Sequence, residues 1–176
     1  TTARKVSFDS QAAYDTSSVG NGVFIDGVAV KTGSGSNTNA KGSLPALLQL
    51  RDEVYPTYQS QLDEIARTLI GAFAETDSGD NAVAGLFTTP DGSDVDFETP
   101  EIVPGLAGMI KVADSAQTSP TKLRDGNIAD ENYNTDISAG YSDLLYKYAA
   151  AMNAQVEFDP RAGISTNVSP LSFASD

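Results

Sequence analysis

Asp91-Gly92-Ser93-Asp94-Val95-Asp96-Phe97-Glu98 is the densest run of carboxylates in the chain. Such a run suits a hard cation, since calcium takes about six to eight oxygens around a sharp glycine turn closed by a bidentate Glu. The spacing departs from the D-x-[DN]-x-[DN]-G-x5-E loop, and so does that of Asp77, Asp80 and Asn81. A solvated acidic loop is therefore the preferred reading of 91–98, with a calcium site as the alternative. A paired-carboxylate hydrolase needs two acids facing across a cleft, one with a raised pKa. The 24 Asp and Glu could always supply a pair, but none sits inside an apolar strand run, and Trp, a common platform for sugars, is absent. The chain has no His and no Cys, which excludes a Ser-His-Asp triad, a Cys nucleophile, a Cys/His zinc site and any disulfide. Gly33-Ser34-Gly35 matches neither dinucleotide nor P-loop spacing. No catalytic residue, cofactor-binding residue or metal ligand is nominated, and the expectation is a protein that is not an enzyme and carries no cofactor. A carboxylate-dependent calcium- or sugar-binding surface protein, or a glycoside hydrolase, is the rival class.

The charge narrows the partners. Eleven Lys and Arg against 24 Asp and Glu leave −13, which opposes phosphate backbones and anionic membranes. No nucleic acid and no membrane is expected. A chain of 176 residues suits one large domain or two small ones. It starts without Met at Thr1-Thr2-Ala3-Arg4-Lys5 and stops at Ser169-Pro170-Leu171-Ser172-Phe173-Ala174-Ser175-Asp176 with no terminating logic, so it reads as an internal fragment of a longer, multidomain protein.

The elements that must position these residues follow from periodicity, and they predict an α+β fold. Residues 4–9 alternate as a strand, and 22–31 read as a hairpin about Asp26-Gly27, a type I′ turn dipeptide. Residues 32–39 are a Gly/Ser/Asn connector. Ser43 as N-cap and Pro45 in the first turn open a long helix over about 44–75. Its packing seam holds Leu47, Val54, Tyr58, Leu62, Ile65, Leu69 and Phe73, while Gln49, Asp52, Gln59, Asp63, Glu64 and Arg67 fall on the other side. Pro56 removes an N–H and crowds the carbonyl of Asp52, which predicts a kink or two abutting helices. Residues 77–134 form a loop and strand region, with Ala84-Gly85-Leu86-Phe87 plugging the core, a strand at 108–113 and a turn at Lys122-Leu123-Arg124-Asp125-Gly126. A second helix over about 137–156 carries Ile137, Tyr141, Leu144, Leu145, Tyr148, Met152 and Val156, and a tail follows it. Segments 1–40, 41–76, 77–134 and 135–176 are thus read as parts of one fragment. At ~1.5 Å per residue the first helix is about 48 Å long and the second about 30 Å, so the second cannot cover the whole seam. Either β segments cover the rest, or helix from the parent chain or neighbouring subunits does.

The phrases along the chain resemble a known family. Gly42-Ser43-Leu44-Pro45-Ala46-Leu47-Leu48-Gln49-Leu50-Arg51-Asp52, continued by Tyr58 to Arg67 and Ile70-Gly71-Ala72-Phe73, is similar to the long helix of bacterial flagellar hook-associated proteins of the hook–filament junction type, the FlgK family. Val23 to Val30 resembles the hairpin before that helix. Val103 to Val112, Leu123-Arg124-Asp125-Gly126 and Gly140-Tyr141-Ser142-Asp143-Leu144-Leu145 resemble the phrases after it, in the family's order. Ala74 follows Phe73 where the family usually has Asn, a departure that also occurs in alphaproteobacterial relatives. The resemblance implies a structural protein, exported unfolded by the flagellar type III pathway to the cell exterior. There it self-associates into a ring joining hook to filament and contacts subunits on both sides. It implies no catalytic residue. Flagellin or another axial filament protein is the alternative within the class.

Overall fold

Asp26 and Gly27 both take positive φ, 51° and 81°, the backbone that a type I′ turn requires. The turn joins two strands of a three-stranded antiparallel sheet ordered β1 (Val6–Phe8), β2 (Val23–Ile25), β3 (Val28–Ala29). Val6 faces Ile25 and Phe8 faces Val23 across the first ladder. Arg4 adds an ion pair to Asp26 at 3.5 Å. The computed structural model describes residues 3–10, 20–31, 42–91, 95–129, 132–163 and 166–175, and the Gly/Ser/Asn connector lies outside them.

The predicted long helix is a succession of α1 (Ser43–Gln49), a π turn (Leu50–Val54) and α2 (Tyr55–Ala72). It neither stops nor splits at Pro56. The amide of Tyr55 donates to the carbonyl of Leu50, a five-residue step. A widened turn just ahead of the proline is one way for a helix to absorb a missing N–H and a bulky ring. The helix ends at Ala72, three residues short of the expected boundary, because Glu75–Thr76 pair instead as a strand.

Short pieces follow. β4 (Glu75–Thr76) pairs with β5 (Ala82–Val83), and β6 (Phe87–Thr88) with β7 (Lys111–Val112), both antiparallel. Gly85 lets the chain pass α2's end closely, since a Cβ there would lie 2.4 Å from the carbonyl of Phe73. The strand expected at 108–113 is only half present. Leu106–Met109 form the helical turn α3 between β6 and β7, begun by Gly105 at φ 83°, so the apparent alternation of 107–112 belongs to a turn and a two-residue strand. α4 (Asp114–Thr118) and α5 (Lys122–Asp125) follow, the latter where a turn was read.

The second helix, α6 (Asp143–Asn153), is shorter at both ends than 137–156. Ile137 takes φ 52° and is 86% exposed, so it belongs to a tight turn and not to the apolar stripe. Val156 lies in β8 (Val156–Glu157), which pairs with β9 (Asn167–Val168) before α7 (Pro170–Phe173). α6 lies against α5 and α7, and meets the end of α2 through Phe73 and Tyr148, whose ring centroids are 4.8 Å apart. The fold class is α+β, as the periodicities predict.

The chain divides into two compact units, Thr1–Gln59 and Ser60–Asp176. The second holds three apolar clusters: Ala66, Ile70 and Leu106; Ala113, Ala116 and Ile128; Phe158, Ala162 and Phe173. α2 feeds two of them, with Ala66 and Ile70 in the first and Ile65 against the third.

Candidate functional site

The predicted seam divides into a covered and an uncovered part. Leu47 is 61% exposed, Tyr58 60% and Leu62 52%, and Tyr55 joins them at 56%. Tyr55, Tyr58 and Leu62 fall at steps of three and four, which places them in one row on α2. Val54, Ile65, Leu69 and Phe73 are half-buried. On α6, Leu144 and Tyr148 are buried, Tyr141 and Met152 half-buried, and Leu145 exposed. The half-buried Phe73 is the point where the two predicted sets meet, stacked edge-on against Phe87 at 5.3 Å as well as on Tyr148.

Asp63, Glu64 and Arg67, read as falling on the side of the helix away from the seam, are not left to solvent there. All three are buried, at 1%, 0% and 3% exposure. From Asp63 onward, loops surround the helix, and its carboxylates hold them. The amides of Gly105 and Ala107 donate to the two oxygens of Asp63 at 2.8 and 2.9 Å, which anchors the start of α3. Arg67 donates to both oxygens of Glu64 at 2.8 and 3.0 Å, and to the carbonyls of Phe97 and Glu157 at 2.8 Å each. The amide of Asp159 completes Glu64 at 2.8 Å. Beyond the helix, Glu75 (1% exposed) receives the amides of Ile128 and Ala129. Buried charge is tolerated only when it is compensated: Glu64 and Arg67 pair with each other, and Asp63 and Glu75 each accept two backbone amides.

Asp159 extends the pattern. It receives the backbone amides of Arg161 and Ile102 and the guanidinium of Arg161. That guanidinium, with the backbone amides, holds its carboxyl well below the usual carboxylate range. Two Leu-Arg-Asp triplets do related work. Arg51 pairs with Asp52 at 2.6 Å and donates to the carbonyl of Asn21 at 2.9 Å. Arg124 pairs with Asp125 at 2.7 Å and donates to the carbonyl of Ala139 at 3.2 Å. Arg124, with Asn134, lowers the pKa of Asp125.

The acidic loops are also tied into the backbone. Asp77 receives the amides of Gly79 and Asn81 at 2.8 Å each, closing the β4–β5 connection. Asp96 receives those of Glu98 and Thr99, and Thr99 lowers its pKa. Residues 92–94 of the acidic cluster lie outside the described residues, so the calcium alternative is not placed. Among the described residues no three carboxylates converge in a way that could hold a metal ion. The hydroxyl of Tyr148 is buried with no hydrogen-bond partner among the described residues, and burial pushes its pKa up.

Periodicity read from one seam missed Asp63, Glu64, Arg67, Glu75 and Asp159 as organising residues. One signal was present: Ala66 and Ile70 are apolar but fall off the seam of Leu62, Ile65 and Leu69, which marks a second buried face on which Arg67 must find a partner. Compared with family models, curated proteins and solved structures, the chain matches none of them.

Proposed function

We propose that this chain is a non-catalytic structural segment of a flagellar axial protein, of the hook–filament junction type, and that it acts by packing against other subunits. The observation that carries the reading is the row Tyr55, Tyr58 and Leu62, large apolar side chains left more than half exposed along one helix face. Burying a Leu-sized side chain is worth about 1.5–3 kcal/mol, and single exposed apolar residues need no explanation, but a row of them at helical spacing suits a partner. The ordered phrases in the sequence supply the identity of the partner class: self-association into a ring, and contacts with hook-side and filament-side subunits outside the cell. The employment of the buried carboxylates as loop anchors is consistent with a scaffold role.

Because Leu62 is exposed, Leu62→Asp does not place a charge in a core, and it tests contact separately from folding. In cells producing the full-length protein, Tyr58→Asp combined with Leu62→Asp is expected to abolish swimming. The same pair in this chain should leave the melting temperature within about 2 °C, as surface substitutions usually do. Normal swimming would overturn the role given to this row.

A further inference from the structure

A cavity of about 510 Å³ opens in the second unit beside the end of α2. It falls within the range of about 300–1,000 Å³ typical of small-molecule sites. Its walls are built from small residues: Gly71, Ala72, Ala74, Ala82, Ala151 and Ala154. No wall side chain at those positions is larger than a methyl group, so the space owes much to small residues in three separate segments. A smaller cavity of about 320 Å³ adjoins it and shares Ala82, Phe97 and Glu98.

Five charged residues line the larger cavity: Arg67, Glu75, Glu98, Lys147 and Glu157. Arg67 is consumed by Glu64 and backbone carbonyls, and Glu75 by backbone amides. Lys147 holds its ammonium 5.6 Å from the centroid of the Tyr133 ring. The carboxylates of Glu98 and Glu157 have no hydrogen-bond or ion-pair partner among the described residues. The free groups are therefore two carboxylates against one ammonium that already faces an aromatic ring. Residues 60–176 also carry the whole net charge, six Lys and Arg against nineteen Asp and Glu, and a cleft in such a field concentrates cations.

We infer that this cavity binds an organic cation with a short apolar body. The body lies against Ala72, Ala151 and Val156, and the ammonium meets Glu98 and Glu157. This inference is independent of the packing row on the other part of α2.

The test titrates the purified chain with n-hexylammonium chloride, sodium hexanoate and hexan-1-ol, followed by calorimetry and by amide chemical shifts. Saturable binding of the amine is expected at about a millimolar or tighter, with hexanoate at least about tenfold weaker. Ala151→Phe, or Ala72→Met should the first lose its helical circular dichroism, fills the cavity and should weaken the amine about tenfold or more. Glu98→Gln with Glu157→Gln alters two exposed side chains and should bring the amine down to the affinity of the alcohol. Absence of saturable amine binding overturns the inference. So does equal binding of hexanoate, or an unchanged affinity in the double Gln variant.

Discussion

Asp159 shows how one residue holds several segments. Its carboxylate takes amides from Ile102 and Arg161 and the guanidinium of Arg161, while its own amide serves Glu64. With a folded-state pKa held below the usual value of about 3.9, the folded chain binds fewer protons than the unfolded chain as the pH falls through that value. The stability contributed is complete above about pH 4 to 5 and is lost as the pH falls toward the folded pKa. Asp159→Asn should therefore cost about 1–3 kcal/mol at pH 7. The gap between variant and native chain should narrow steadily from pH 5 to pH 2 in urea titrations. A gap that stays constant over that range would reject the ionised carboxylate as the anchoring group. The sequence around Phe158-Asp159-Pro160 does not mark this residue as an anchor of distant segments, because two of its donors are backbone amides, which every residue but proline has, and one of them, that of Ile102, lies 57 residues away. By contrast, the turn at Asp26-Gly27 was legible, since those two residue types are among the few that tolerate positive φ.

At the scale of elements, α2 behaves as two kinds of helix joined end to end. Its first turns expose Tyr55, Tyr58 and Leu62, and its later turns bury both apolar and charged residues. Arg67→Met leaves Glu64 buried without its partner and frees the carbonyls of Phe97 and Glu157. It should cost about 3–5 kcal/mol, whereas Leu62→Ala, on an exposed side chain, should cost less than about 1 kcal/mol. Urea unfolding of the two variants compares them directly, and a larger loss in Leu62→Ala would remove the clamp from the explanation of the fold. The existence and type of the long helix, of the strands of the first sheet and of α6 could be read from spacing, but not that those strands join in one sheet. Their burial could not, because amphipathic periodicity assumes one wet face, and here loops folded around the helix give its polar face a dry role. The helix at Leu106–Met109 was missed for a related reason: its start is fixed by Asp63, 42 residues away from Gly105.

The whole molecule is uneven in both charge and core. Residues 1–59 hold five Lys and Arg and five Asp and Glu and are neutral, so the −13 lies entirely in residues 60–176. An approaching chain therefore meets least long-range repulsion from the neutral part, where Leu47, Tyr55 and Tyr58 are exposed. The apolar core is distributed in the opposite sense. Among the described residues of the first unit only Val23 and Leu48 are fully buried apolar side chains, while the second unit contains three buried clusters. Units with few buried contacts open at lower free energy than the global transition, and protease cuts the transiently open form in proportion to its population when reclosure is fast. Brief digestion with trypsin should accordingly cut first after Lys5, Lys31 or Arg51. A product retaining Arg67, Lys111, Lys122, Arg124, Lys147 and Arg161 uncut should accumulate, identified by intact mass. Arg67 is shielded by its ties to Glu64, Phe97 and Glu157, so it should be among the last sites cut. Early cleavage at Lys111, Lys122 or Arg124 would instead place the weak point in the second unit. Tyr55 and Tyr58 would then rest on the more stable part of the chain, and the link drawn between an open core and an exposed surface would fail.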